Sequence, residues 1–127
     1  MLPAAFRLSD SASFREAVRR GRRSGTRTLV LHLVAPASGD APPQVGFVVS
    51  RAVGNAVVRN RVKRRLRHLA REHVSSLPGS AVLVVRALPA AAAATYDGLG
   101  ADFGHCLARL LPGAAVDGGG AVARSGT

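Results

Sequence analysis

The strongest chemical bias in the chain lies in one run, Asn55 to Arg71, NAVVRNRVKRRLRHLAR. Within it Arg59, Arg61, Lys63, Arg64, Arg65, Arg67 and Arg71 are cationic, and from Arg59 to Arg71 no more than one acid is near, Glu72 just beyond the end. Guanidinium forks match phosphate and stack on bases, whereas an ammonium is a compact point charge. The chemistry on offer is the binding of a polyanion. Bond-breaking chemistry has no comparable support. The acids Asp10, Glu16, Asp40, Glu72, Asp97, Asp102 and Asp117 are scattered, while a protein phosphodiesterase needs carboxylates clustered around two metals. The four histidines form no ligand pattern. The single cysteine, Cys106, excludes an internal disulfide and a cysteine-based metal site; it reads as a small buried hydrophobe on a helix.

The whole chain shares this bias. Eighteen Lys and Arg against seven Asp and Glu give a formal charge of +11 over 127 residues. A solvated surface stays soluble with mixed signs, so the excess points to nucleic acid first and an anionic membrane surface second. Lys63 is the only lysine; the arginine preference also fits a GC-rich coding bias and decides little by itself. No basic-then-apolar signal opens the chain, and no apolar run approaches the ~20 residues of a membrane span. A cytoplasmic protein with no membrane partner is expected.

Elements must position these groups. The length suits one domain, expected over 1–111, with a core built mostly of Val and Leu because only four Phe and one Tyr are present. Residues 1–8 read as an extended arm packing Phe6 or Leu8. SDSASFREAVRRG predicts a short helix, with Ser9, Asp10, Ser11 and Ser13 as cap candidates and Gly21 as its stop. Thr28 to Val34 alternates as a strand, residues 35–43 form a proline-rich loop, and 44–50 alternates again, so the pair reads as a hairpin with a long loop. After a break at Gly54, Asn55 can cap a helix over about 56–73, ended by Pro78–Gly79. Residues 81–88, AVLVVRAL, predict a central strand covered on both faces. Thr95 can cap a closing helix with Tyr96, Leu99, Phe103, Leu107 and Leu110 in one stripe, although Gly98, Gly100 and Gly104 each weaken it by about 1 kcal/mol. Residues 112–127 lack periodicity and are expected to be disordered. The fold class is α+β: a two-layer α/β sandwich with helices packed on a small mixed sheet, in the order α-β-β-α-β-α.

A helical wheel separates the two demands on the charged run. With Val58 at zero, Val62, Leu66, Leu69 and His73 fall within about 80° and face the sheet. Asn60, Lys63, Arg64, Arg67 and Arg71 lie opposite, with Arg59, Arg61 and Arg65 on the shoulders. A merely solvated helix would mix signs to gain i,i+4 pairs. Like charges held together at a local cost imply a partner that neutralises them. A DNA major groove is one candidate partner, but a strand, not a short helix, precedes this helix. RNA bound through phosphates, 2′-hydroxyls and shape fits better.

These residues carry a family resemblance. VGFVVSRAVGNAVVRNRVKRRLR, residues 45–67, resembles the signature of the protein subunit of bacterial ribonuclease P, with Arg59-Asn60-Arg61 as its RNR motif. Arg7, Leu8, Phe14 and Gly21 resemble the family's N-terminal pattern, and the likeness spans about residues 5–111. It implies a left-handed βαβ crossover containing the RNR helix, where the usual hand is right. It implies removal of the 5′ leader of precursor tRNA by a catalytic RNA with bound Mg²⁺, this chain being the protein cofactor and needing no protein partner. Arg59, Asn60, Arg61, Arg64 and Arg67 are then expected to contact the catalytic RNA, with secondary contacts from Arg51, Asn55, Arg65 and Arg71. The Asn60 amide can both donate to phosphate and accept from a 2′-hydroxyl. A leader cleft is implied at Phe14, Val18, His32 and Lys63. Val18 and His32 stand where the family often has aromatics, so stacking, worth about 1–3 kcal/mol per base, is reduced there. Phe14 also reads as a plain core anchor of the first helix.

Two other readings use the same residues. A ribosomal protein or general RNA chaperone would bind without regard to leader length. A protein nuclease would cleave alone with Mg²⁺.

Overall fold

The computed structural model describes residues 2–36 and 39–111; the tail expected to be disordered, 112–127, lies outside them. Helix α1 spans Ser11–Arg20 and is capped by Asp10, whose carboxylate accepts from the Ala12 N–H at 3.2 Å and the Ser13 hydroxyl at 2.8 Å. Four strands form, β1 Arg22–Gly25, β2 Leu29–Val34, β3 Gln44–Val48 and β4 Val82–Ala87, of which the last three were expected. Between β3 and β4 runs α2, Ala56–His73, and α3, Tyr96–Leu110, closes the fold. Thr95 caps α3 by accepting from the Gly98 N–H at 2.9 Å.

The sheet order is β1-β2-β4-β3. β1 and β2 are antiparallel, β2 and β4 are antiparallel, and β3 runs parallel to β4. The hairpin expected between residues 28–34 and 44–50 is therefore corrected. β4 separates those strands, and the hairpin partner of β2 is β1, which sequence patterning did not reveal. The reason is burial. β4 is the most continuously apolar strand, and only a central place covers both its faces. A parallel β3–β4 pair also requires a long crossover, which α2 supplies.

Strand alternation divides the core. Leu29, Leu31 and Leu33 of β2, Val45 of β3 and Leu83 and Val85 of β4 pack with Val62, Leu66 and Leu69 of α2 and with Phe103, Leu107 and Leu110 of α3. Leu8, Ala17 and Val84 form a second cluster under α1, joined by Phe14, Val18, Val34, Val48 and Val82. The N-terminal arm buries Leu2 and Leu8 and pairs along β3, with the Leu8 N–H donating to the Val45 carbonyl at 3.0 Å. That covers a strand edge otherwise open to pairing with another chain. Cys106 is buried, as expected. Among the described residues no helix is long and apolar enough to cross a membrane.

Candidate RNA-binding surface

Helix α2 begins with a built start signal. The Asn55 side chain accepts from the Val58 N–H at 3.0 Å. Gly54 precedes it with φ of 157°, and a side chain there would come within 2.9 Å of Val58. Val62, Leu66, Leu69 and Ala70 are buried on the inner face. His73 is half-buried and stacks on Phe103 with ring centres 5.2 Å apart. Asn60, Arg61, Arg64, His68 and Arg71 are exposed, while Arg59, Lys63, Arg65 and Arg67 are half-buried. Arg51 is exposed in the turn between β3 and α2.

Several of these cations also hold the fold. Arg59 Nε donates to the Gly54 carbonyl at 3.2 Å and thereby closes the turn into α2. Arg61 donates to the Ala92 carbonyl at 3.1 Å and Arg65 to the Ala94 carbonyl at 3.0 Å. Together they tie α2 to the segment leading into α3. Arg22 donates to the Leu110 and Arg109 carbonyls at 3.3 and 3.4 Å, matching a cation to a helix C-terminus. A guanidinium has five N–H donors, so one carbonyl contact leaves most of the fork available. Asn55 differs: its oxygen is committed to the cap.

Phe14 and Lys63, 49 positions apart by their numbers, line one cleft of about 200 Å³ with Arg7, Gly46, Phe47 and Arg67. Gly46 is what lets the Phe14 ring lie on β3. A Cβ there would come within 2.7 and 2.9 Å of Cε1 and Cε2, and closer still to Cζ. Val18 does not line this cleft. It lines a neighbouring hollow of about 320 Å³ that shares Phe14 and adds Arg15, Arg19, Val48 and Arg86.

His32 lines neither and is 3 % exposed. Strand alternation puts it on the α1 side of the sheet, and packing there leaves little of the expected contact residue open to a ligand. Both ring nitrogens are buried without a hydrogen-bond partner. Burial, then the positive charges of Arg86 and Arg23, pushes its imidazole below the ordinary histidine range.

Sequence reasoning missed Arg7, Phe47, Arg15, Arg19 and Arg86 as lining residues. Arg86 left a legible signal, a charge inside an otherwise apolar central strand. Arg7 and Phe47 lie within the stretches that carry the family resemblance, but nothing in their spacing joined them to the cleft.

A mixed sheet that presents a basic helix beside a cleft with an aromatic wall and a lysine defines an RNA-binding protein. Residues 2–111 match the family model Ribonuclease P, and the chain belongs to that family. It is 67% identical over 119 residues to a ribonuclease P protein component from a Nocardioides species, covering 93% of this chain and 100% of the relative. The ribonuclease P protein component of Streptomyces avermitilis is 51% identical over 122 residues, covering 91% and 99%. Among solved structures, the ribonuclease P protein of Staphylococcus aureus superposes with a TM-score of 0.71 at 25% identity, covering 84% of this chain and 98% of that one. The Thermotoga maritima protein, at 20% identity and a TM-score of 0.64, shares the fold, covering 76% and 90%.

Proposed function

We propose that the outward face of α2 binds the catalytic RNA of ribonuclease P while the Phe14–Lys63 cleft holds the 5′ leader of precursor tRNA. Family membership makes this chain the protein component of the holoenzyme, an endoribonuclease of tRNA processing. The division into two RNA surfaces is supported by one observation above all. Phe14 from α1 and Lys63 from α2 line a single cleft at the margin of the basic helix. Asn60, Arg61, Arg64 and Arg71 point to solvent away from the core stripe. Arg59 and Arg67 extend that face, with Arg67 shared between it and the cleft.

The mechanism is positional and electrostatic. Precursor and catalytic RNA are both polyanions, and the cations of α2 lower their mutual repulsion. Phe14 offers a stacking surface and Lys63 a charge for the adjoining phosphate. Ribonuclease P chemistry in this reading uses Mg²⁺ held by RNA oxygens. Among the described residues no three His, Cys, Asp or Glu converge. The work takes place in the cytoplasm, where precursor tRNA and catalytic RNA meet.

A leader-length series tests this reading. Binding of precursor by the reconstituted holoenzyme should tighten over the first several leader nucleotides, and Lys63→Ala should remove most of that gain. The chain should also restore cleavage by its cognate RNA at low Mg²⁺. Indifference to leader length would favour a general RNA chaperone, and cleavage by the chain alone would identify a protein nuclease.

A further inference from the structure

A second one-signed run lies away from both α2 and the cleft. RGRRSGTR, Arg20 to Arg27, carries four arginines in eight residues, and residues 17–39 contain no acid. Arg20 ends α1 one turn after Glu16, so the unmixed part is Arg22, Arg23 and Arg27. All three are exposed and line neither the cleft nor its neighbouring hollow. They belong to the hairpin of β1 and β2. β1 is a sheet edge, with β2 and β4 between it and β3, so three strand spacings, about 14 Å, separate it from β3. Alternation sends Arg22 and Arg23 to opposite faces, and Arg27 stands in the turn beyond the strand. Arg22 reaches the end of α3, where two of its five donors take the Leu110 and Arg109 carbonyls. The turn itself is firmly built. The Thr26 N–H donates to the Leu29 carbonyl at 2.8 Å, and the Thr26 hydroxyl accepts from the Thr28 and Leu29 N–H groups at 3.4 and 3.3 Å. The Thr28 hydroxyl donates to Asp102, and its carbonyl accepts from the Leu88 N–H at 2.8 Å. Charge on an edge strand blunts pairing with another chain. That accounts for Arg22 or Arg23, but not for Arg27, which lies past the strand.

Resting on the reading of α2 as the catalytic-RNA face, we propose that Arg22, Arg23 and Arg27 hold a second, double-stranded element of the same RNA. α2 and α3 pack on one face of the sheet and α1 on the other. Arg22, at the end of α3, therefore continues the helical layer to which α2 belongs. An RNA lying across that layer meets α2 on one side of α3 and the arginine hairpin on the other. The three arginines occupy two faces and a tip, an arrangement that suits successive phosphates of a backbone rather than one small anion. Residues 20–31 contain no aromatic, whereas single-strand sites combine a groove with stacking platforms. A protruding cationic hairpin matches the phosphates and 2′-hydroxyls beside the shallow minor groove of an RNA helix. The hydrogen bonds that hold the turn lower the ordering cost of that contact. It fixes the orientation of the RNA without reading its sequence.

The experiment titrates the cognate catalytic RNA with the full chain at several salt concentrations and maps backbone protection on the RNA by hydroxyl radicals. The test variant is Arg23→Ala with Arg27→Ala; Arg22 stays, because it holds the end of α3, and thermal melts establish folding. The double variant should bind the RNA about tenfold more weakly, the size of one or two lost charge-assisted contacts. The slope of log affinity against log salt should fall by about 0.7–0.9 for each arginine removed, and Arg23→Lys with Arg27→Lys should keep it. One base-paired region of the RNA should lose protection in the double variant and keep it in Arg64→Ala, while the region protected through α2 behaves in the opposite way. The deficit should be the same with and without precursor tRNA. Unchanged affinity, a weaker affinity with no region losing protection, lost protection confined to single-stranded RNA, or a deficit seen only with precursor overturns the hairpin site. Arg64→Ala separates the two levels. If it leaves both affinity and protection intact, the α2 reading fails and the hairpin site with it. If Arg64→Ala weakens binding and the double variant does not, the α2 reading stands and the hairpin site alone is wrong.

Discussion

Gly46→Ala probes the cleft where it is tightest. The new methyl would stand 2.7 and 2.9 Å from Cε1 and Cε2 of Phe14 and closer to Cζ, whereas carbon atoms in contact prefer about 3.5–4.0 Å. Strand β3 cannot easily yield, because Gly46 pairs with Val84 in the parallel ladder. The ring must move by about 1 Å or swing aside. Overpacking of this kind costs about 1–3 kcal/mol of fold stability, and displacing the ring forfeits about 1–3 kcal/mol of stacking per base. At about 1.4 kcal/mol per decade, the leader-dependent part of precursor affinity should drop roughly ten- to hundredfold. Affinity for the catalytic RNA, held by the outer face of α2, should not change. The assay pairs long-leader and trimmed precursors across wild type, Gly46→Ala, Phe14→Ala and the double variant, with thermal melts to establish folding. Because Gly46 acts through the ring, the double variant should lose no more leader affinity than Phe14→Ala alone, a non-additivity expected only of coupled sites. Wild-type leader dependence in a folded Gly46→Ala protein, or additive losses in the double variant, would refute the argument.

Other outcomes follow from the same geometry. Arg64→Ala should weaken catalytic-RNA binding equally for long and trimmed leaders and lower the salt slope by about 0.7–0.9, read by titrating the RNA at several salt concentrations. Asn55→Ala removes the cap on α2 and should cost about 1 kcal/mol, seen as a melting temperature lower by roughly 4–8 °C. The lowered His32 pKa sets a pH dependence of stability. Above the ordinary value of 6.5 the imidazole is neutral in both folded and unfolded chains; as pH falls below it the unfolded chain gains the proton first, so stability declines until the folded value is passed. His32→Val should flatten that decline in a denaturant series from pH 7 to 5, and at pH 7 it should be neutral or stabilising, since it removes two buried unpartnered nitrogens.

What could be read in advance depended on whether the signal was local. The bounds of α2 were legible because Asn55, the Val62–Leu66–Leu69 stripe and the Pro78–Gly79 break are all near in sequence. The central place of β4 was legible from its apolar run. β1 was not, since RRSG buries only Ser24 and owes its strand geometry to backbone pairing with β2. Alternation told which face each residue takes but not which strands are neighbours, and the false hairpin came from that gap. The same limit affected His32: its face was readable, its cover was not. Phe14 and Lys63 were joined only by resemblance to a family, because no period links α1 to α2. The helical wheel placed Arg59, Arg61 and Arg65 on the shoulders of the core stripe, but a period within α2 could not anticipate the carbonyls they hold.

The interposed position of β4 has a consequence for how the molecule is made. β2 and β3 have no common neighbour until residues 82–87 exist, so a nascent chain ending before them has two disconnected apolar strands and a helix with no sheet to lie on. Local contacts can form early, as in the β1–β2 hairpin, but the long-range pairing that seats α2 must wait. The basic helix thus leaves the ribosome, itself a large RNA, before it has a fixed orientation. Completion of β4 is the step that turns a nonspecifically cationic segment into an ordered surface.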